Sequence, residues 1–155
     1  MQSTVIQKHF QNRRSNESTK PFATFYLQNE FFGIDVEWVQ EILKYQEMTP
    51  VPLAPEYVCG LINLRGQIVM AMDLKARLHG KPNHINASSM NLIVKDGDEI
   101  ISLLVDDIGD VLELDENDMH PVPLTMTSMN TEYFDGVYRL ENQLLLILNV
   151  KNVLS

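Results

Sequence analysis

The chain has 155 residues and a net charge of −9, from twelve Lys and Arg against twenty-one Asp and Glu. That is about one domain's worth of polypeptide, and its charge repels a phosphate backbone, so nucleic acid is not an expected partner. The single cysteine, Cys59, rules out an internal disulfide and a CxxC metal knuckle. No apolar run reaches the length of about 18 residues that a membrane span needs, which points to a soluble cytoplasmic protein without membrane insertion.

Residues 1–21, "MQSTVIQKHFQNRRSNESTKP", are too polar to offset their ordering entropy and are expected to form a flexible N-terminal tail. Within it, Val5, Ile6 and Phe10 have the spacing of one amphipathic helical turn. From Phe22 onward, short runs rich in Val, Ile, Phe and Tyr are cut by turn residues every ten or so positions, the punctuation of an all-β protein. "FATFYLQNEFFGIDV" predicts a hairpin turning at Gln28-Asn29, and "MNLIVKDGDEIISLLV" another turning at Asp96-Gly97. Prolines 50, 52 and 55 predict an extended crossing segment, because they remove ladder donors. Helices are few and short. Asp35 is placed to cap "VEWVQEIL", with Val36, Val39, Ile42 and Leu43 on one face, and Asp73 to cap "DLKARLHG", which stops at Gly80.

An internal echo organises the chain. "EYVCGLINLRGQIVMAMDLKARL" from Glu56 aligns without a gap on "EYFDGVYRLENQLLLILNVKNVL" from Glu132, with seven of 23 positions identical. Upstream, "PVPL" at 50–53 recurs at 121–124, and "VEWVQEIL" at 36–43 resembles "VDDIGDVL" at 105–112. Two similar β units follow, roughly residues 22–80 and 90–155, each too small to be very stable alone. Exchange of strands between them is left open. The echo sets Arg65-Gly66 against Glu141-Asn142, and both pairs are expected at hairpin tips, where Gly and Asn suit a positive φ. Arg65 is then either a solvated turn residue or a binding residue.

No reactive centre is evident. His79, His84 and His120 lack a second ligand cluster, and Asp96, Asp98 and Glu99 read as a hairpin tip rather than a calcium loop. Asp106, Asp107 and Asp110 read as a solvated acidic face, and Cys59 as an inert thiol. GxxxxGK, GxGxxG and GxSxG are absent. The protein is therefore expected to be no enzyme, with no cofactor and no metal.

The blocks "FGIDVEWVQEIL", "VPLAPEYVCGLINLRGQIVMAMDL" and "LLVDDIGDVLEL" resemble the CheW-type chemotaxis coupling proteins, over about Phe22 to Leu154. "NLRG" followed by an apolar strand and Asp-Leu is the most specific of these signatures. The resemblance implies two SH3-like five-stranded β-barrels packed side by side, with a few short helices. It also implies a non-enzymatic adaptor joining chemoreceptor cytoplasmic tips to the regulatory domain of the histidine kinase CheA at receptor arrays. Carried over by position, the receptor patch comprises Val39, Glu41, Ile42, Gly60 and Arg65, and the kinase contact Ile108, Gly109, Asp110 and Val111. Cys59 stands where a basic residue is usual, and "VMAMDL" replaces a strand usually containing proline and branched residues. A monomer in isolation is expected, because such contacts need an array for avidity. The alternative is a β-barrel binding module of another kinase array, for pilus or gliding motility, or for a small ligand.

Overall fold

The computed structural model describes residues 18–123 and 129–155; residues 1–17 of the expected tail lie outside them. The first strand, β1, spans Thr19–Leu27, so the last three residues of the expected tail belong to a strand and Pro21 is buried. It turns at Gln28-Asn29, as expected, into β2 (Glu30–Asp35). Asp35 caps only a single 3-10 turn, Val36–Trp38, accepting from the Glu37 amide at 3.0 Å. The expected helix over 36–43 is instead β3 (Val39–Lys44). Here pairing with a neighbouring strand outweighed a helical period only two turns long, and β-branched Val36, Val39 and Ile42 favour that outcome.

Next come β4 (Val58–Leu64), β5 (Gln67–Asp73) and helix α1 (Leu74–His79), capped by Asp73 and ended by left-handed Gly80, as the sequence indicates. The second hairpin is β6 (Met90–Asp96) and β7 (Glu99–Val105). Asp96 pairs with Glu99, so its tip is Gly97-Asp98, one residue later than expected. Strands β8 (Asp107–Ile108), β9 (Leu112–Asp115), β10 (Phe134–Arg139) and β11 (Leu144–Leu148) lead to helix α2 (Val150–Leu154).

The sheets do not follow the linear halves. One runs β10-β11-β2-β1-β8 with β9 also on β1, and the other runs β3-β6-β7-β5-β4. Each half of the repeat thus sends its leading hairpin to the other half's sheet, through the parallel pairs β11–β2 and β5–β7. The division expected between residues 80 and 90 describes the repeat in the chain, while sheet membership is exchanged. The driving force is burial. Phe25, Phe32 and Ile34 from one hairpin and Leu92, Val94 and Leu103 from the other share the largest core cluster with Leu74 and Leu146. Two smaller clusters, around Ile62, Leu64 and Ile93 and around Phe22, Tyr138 and Leu145, fill the barrels themselves.

The twofold echo extends to atomic detail. Thr49 and Leu61 exchange backbone hydrogen bonds of 2.8 Å, and so do His120 and Val137. A Cβ built on Gly60 would lie 2.7 Å from the Thr49 carbonyl oxygen, and one on Gly136 would lie 2.7 Å from that of His120. Gly60 also has φ +156°. Gly60→Ala is therefore expected to destabilise by about 2–4 kcal/mol, read by thermal denaturation, because backbone must move to admit the methyl group. Tyr57 and Tyr133, equivalent in the echo, share one partner: the Arg77 guanidinium lies 4.8 and 5.3 Å from their ring centres. Its Nε donates to the Val153 carbonyl at 3.0 Å, tying α1 to α2.

Candidate functional site

The β4–β5 tip is a two-residue turn in which Arg65 (φ +51°) and Gly66 (φ +84°) both have positive φ. The Asn63 side-chain oxygen accepts from the Gly66 amide at 2.8 Å and holds the turn. Arg65 reaches across the open side of the first barrel to β3. Its Nη1 and Nη2 donate to the two carboxylate oxygens of Glu41 at 2.7 and 2.6 Å, a forked pair. The hydrogen bonds to Glu41, followed by its charge, raise the guanidinium pKa. The partners differ in exposure: the Arg65 side chain is 69% exposed and that of Glu41 only 8%. A bulge between Val39 and Glu41 interrupts the β3–β6 register. Period-2 alternation then sets Glu41 on the face of Leu43, which packs on the barrel interior, and opposite Ile42. Arg65 is thus neither of the simple alternatives. It satisfies a buried carboxylate while leaving much of its own surface in water.

Of the other residues assigned to this patch, Val39 is half-buried against the main core, and Ile42 is 5% exposed inside it. Gly60 is buried, and the backbone it admits is that of Thr49 in its own chain. Arg65 and Val39 therefore offer surface, whereas Ile42 and Gly60 act through the fold. The carry-over did not include an apolar groove beside the tip, lined by Met48, Leu61 and Ile68. Ile68 is 63% exposed and pairs with Asn63, one rung from the turn. The echo held a signal for it, since the equivalent Leu144 is also apolar and 40% exposed.

In the second unit, Ile108 pairs with Phe25 and packs with Val111 on the main core. Gly109 donates to the Thr24 carbonyl at 2.9 Å, and a Cβ there would collide with the Thr24 hydroxyl. Only Asp110 of those four is exposed. By the echo Asp110 corresponds to Glu41, and Glu141 to Arg65, so the second barrel has two acids where the first has the fork. Asn142 does not take the positive φ expected of it. Asp106 is not a free surface charge: its carboxylate accepts from the Gln28 amide at 2.6 Å and the Asn83 side chain at 2.8 Å. His79 ends α1 and lies 2.7 Å from Glu30.

Burial, then the charge of Asp73, push the Cys59 thiol up to about 11, against a backbone hydrogen bond that lowers it. At pH 8 about 0.1% of such a thiol is thiolate, against about a quarter for a free cysteine. Ellman's reagent is expected to label the native protein about a hundredfold more slowly than the unfolded chain.

A family model described as CheW-like domain matches residues 21–155. The chain is 31% identical over 134 residues to the chemotaxis protein CheW of Klebsiella aerogenes, covering 86% of this chain and 81% of that one. It is 31% identical over 144 residues to the chemotaxis protein CheW of Treponema pallidum, covering 90% and 85%. Among solved structures, the scaffolding protein TtCheW from Thermoanaerobacter tengcongensis superposes with a TM-score of 0.80 at 27% identity, covering 93% of this chain and 94% of that one. With the match spanning both barrels and the arginine tip alike, the chain belongs to the CheW-like domain family.

Proposed function

We propose that the protein is a non-enzymatic adaptor that links chemoreceptor cytoplasmic tips to the regulatory domain of the histidine kinase CheA, recruited to arrays at the inner face of the cytoplasmic membrane. Family membership supports the chemotaxis role, and the relatives' names point the same way. The observation that carries the receptor assignment is the Arg65–Glu41 fork beside the Met48, Leu61 and Ile68 groove. A rigidly held guanidinium can bind carboxylates or carbonyls on a receptor helix while the groove takes its apolar side chains. Arg65 and Ile68 form the proposed contact, Glu41 positions the arginine, and Gly60 and Ile42 maintain the barrel beneath. The CheA contact is proposed on the second unit, with Asp110 as the exposed member of its 108–111 segment.

The experiment mixes the protein with CheA and a receptor signalling fragment and measures complex formation and kinase activity. A three-way complex with receptor-dependent kinase control is the expected result. Binding to neither partner would overturn the reading.

A further inference from the structure

Two further polar side chains lie inside the first barrel beside Glu41: Asn91 in β6 and Ser102 in β7, both 0% exposed. Ile93 of the barrel's own cluster stands across from both Glu41 and Ser102, and Leu43 and Leu104 stand across from Asn91. Glu41, Asn91 and Ser102 therefore share one face. The Ser102 hydroxyl donates to the Asn91 side-chain oxygen at 2.7 Å, and the Asn91 amide donates to the carbonyl of Lys44, the last residue of β3, at 3.1 Å. That carbonyl also accepts from the Gln46 side chain at 3.2 Å, but Gln46 follows β3 in the chain and moves with it. Asn91 ties it to the neighbouring strand. Burying two such groups costs desolvation that an apolar pair of similar size would avoid, so burial alone does not call for them.

What β3 needs is a fixed frame. It is an edge strand of its sheet, and its bulge falls between Val39 and Glu41. Beyond the bulge, Ile42 packs on the main core and Leu43 on the barrel interior. A shift by one residue would exchange these two isomeric side chains between two apolar faces, at little cost in burial. The same shift would turn Glu41 away from Arg65 toward the main core, and would part the Lys44 carbonyl from Asn91. Polar groups therefore choose the frame. Arg65 holds its beginning through Glu41, and Asn91, oriented by Ser102, holds its end at Lys44.

We propose that the buried Asn91–Ser102 pair is a positioning device for the arginine tip: it fixes β3 in the frame that sets Glu41 beneath Arg65, and so presents the guanidinium already oriented to a receptor helix. Presentation to a receptor rests on the function proposed above, whereas the pinning of Arg65 does not. Pre-organisation lowers the ordering entropy that binding must overcome, so an arginine held in a fork binds more tightly than a free one.

The experiment compares the full chain with N91V/S102A, which makes both partners apolar, strands neither, and should melt within a few degrees of the parent. S102A alone is the milder arm, should the double variant fail to fold. Nitrogen-15 NMR reads the fork directly, because a guanidinium held by two hydrogen bonds rotates slowly and gives separate Nη signals, whereas a free one gives an averaged signal. Glu41→Gln identifies the Arg65 signals by breaking the fork. N91V/S102A is expected to show averaged Arg65 signals, and S102A partly averaged ones. The double variant should also bind a receptor signalling fragment about three- to tenfold more weakly, short of the roughly thirtyfold loss expected of Arg65→Ala. In an Arg65→Ala background, N91V/S102A should weaken binding no further. Fully separate Nη signals in the folded variants overturn the proposal. So does an additive loss in the Arg65→Ala background, or parent-like affinity of N91V/S102A where Arg65→Ala binds more weakly. If Arg65→Ala itself binds like the parent, the receptor reading fails instead, and the Nη signals still decide the pinning.

Discussion

Leu146→Asp is expected to abolish the native fold at ambient temperature. Leu146 is 5% exposed in the interior strand β11, pairs with Phe32 on one side and Val137 on the other, and belongs to the cluster shared by both exchanged hairpins. An unpaired carboxylate there loses its hydration and finds no donor. The cost is several kcal/mol, on top of about 2 kcal/mol for the lost apolar burial, against a total stability of about 5–15 kcal/mol. Because that cluster joins both sheets, neither barrel should remain structured while the other unfolds. Leu144→Asp is the matched control: it lies two residues earlier in the same strand and is 40% exposed, so its effect should stay below about 1 kcal/mol. Circular dichroism melts of the two variants provide the measurement, and a parent-like melt for Leu146→Asp would place the core elsewhere.

Arg65→Glu is expected to abolish binding of a receptor signalling fragment, and Arg65→Ala to weaken it by roughly thirtyfold, as for a central arginine anchor. The loss of an exposed turn residue ordinarily leaves melting unchanged. The fork to Glu41 revises that expectation, because removal of the guanidinium strands a carboxylate that is only 6% exposed as a residue. Arg65→Ala should therefore melt a few degrees below the parent, and adding Glu41→Gln should restore much of the loss. The double variant separates the two roles: it is stable but has no arginine. If it binds the receptor fragment as tightly as the parent, Arg65 serves the barrel and not the partner. Glu141→Ala, at the equivalent tip of the second barrel, should bind like the parent.

Local chemistry was legible because it depends on near neighbours. The Gln28-Asn29 hairpin, the Asp73 cap with its Gly80 stop, and the tip at Arg65-Gly66 all follow from turn and capping preferences within a few residues. The repeat was legible because equivalent folds bury equivalent positions, which is why Gly60 and Gly136, or Tyr57 and Tyr133, recur in matching roles. The segment 36–43 misled because a helix of two turns and a bulged strand leave nearly the same apolar pattern, and only pairing with β6 distinguishes them.

By itself the sequence determined the all-β class, the duplication, the position of the arginine tip and the family likeness, since each is written in spacing and residue type along the chain. Tertiary structure decided what depends on contacts between distant residues. It exchanged the leading hairpins, because the apolar faces of both are buried only when they share one core. It turned Glu41 inward through a bulge and so gave Arg65 a partner 24 residues away. It also gathered Tyr138, Trp38 and Glu116 around one cavity, a meeting of strands that no local pattern encodes.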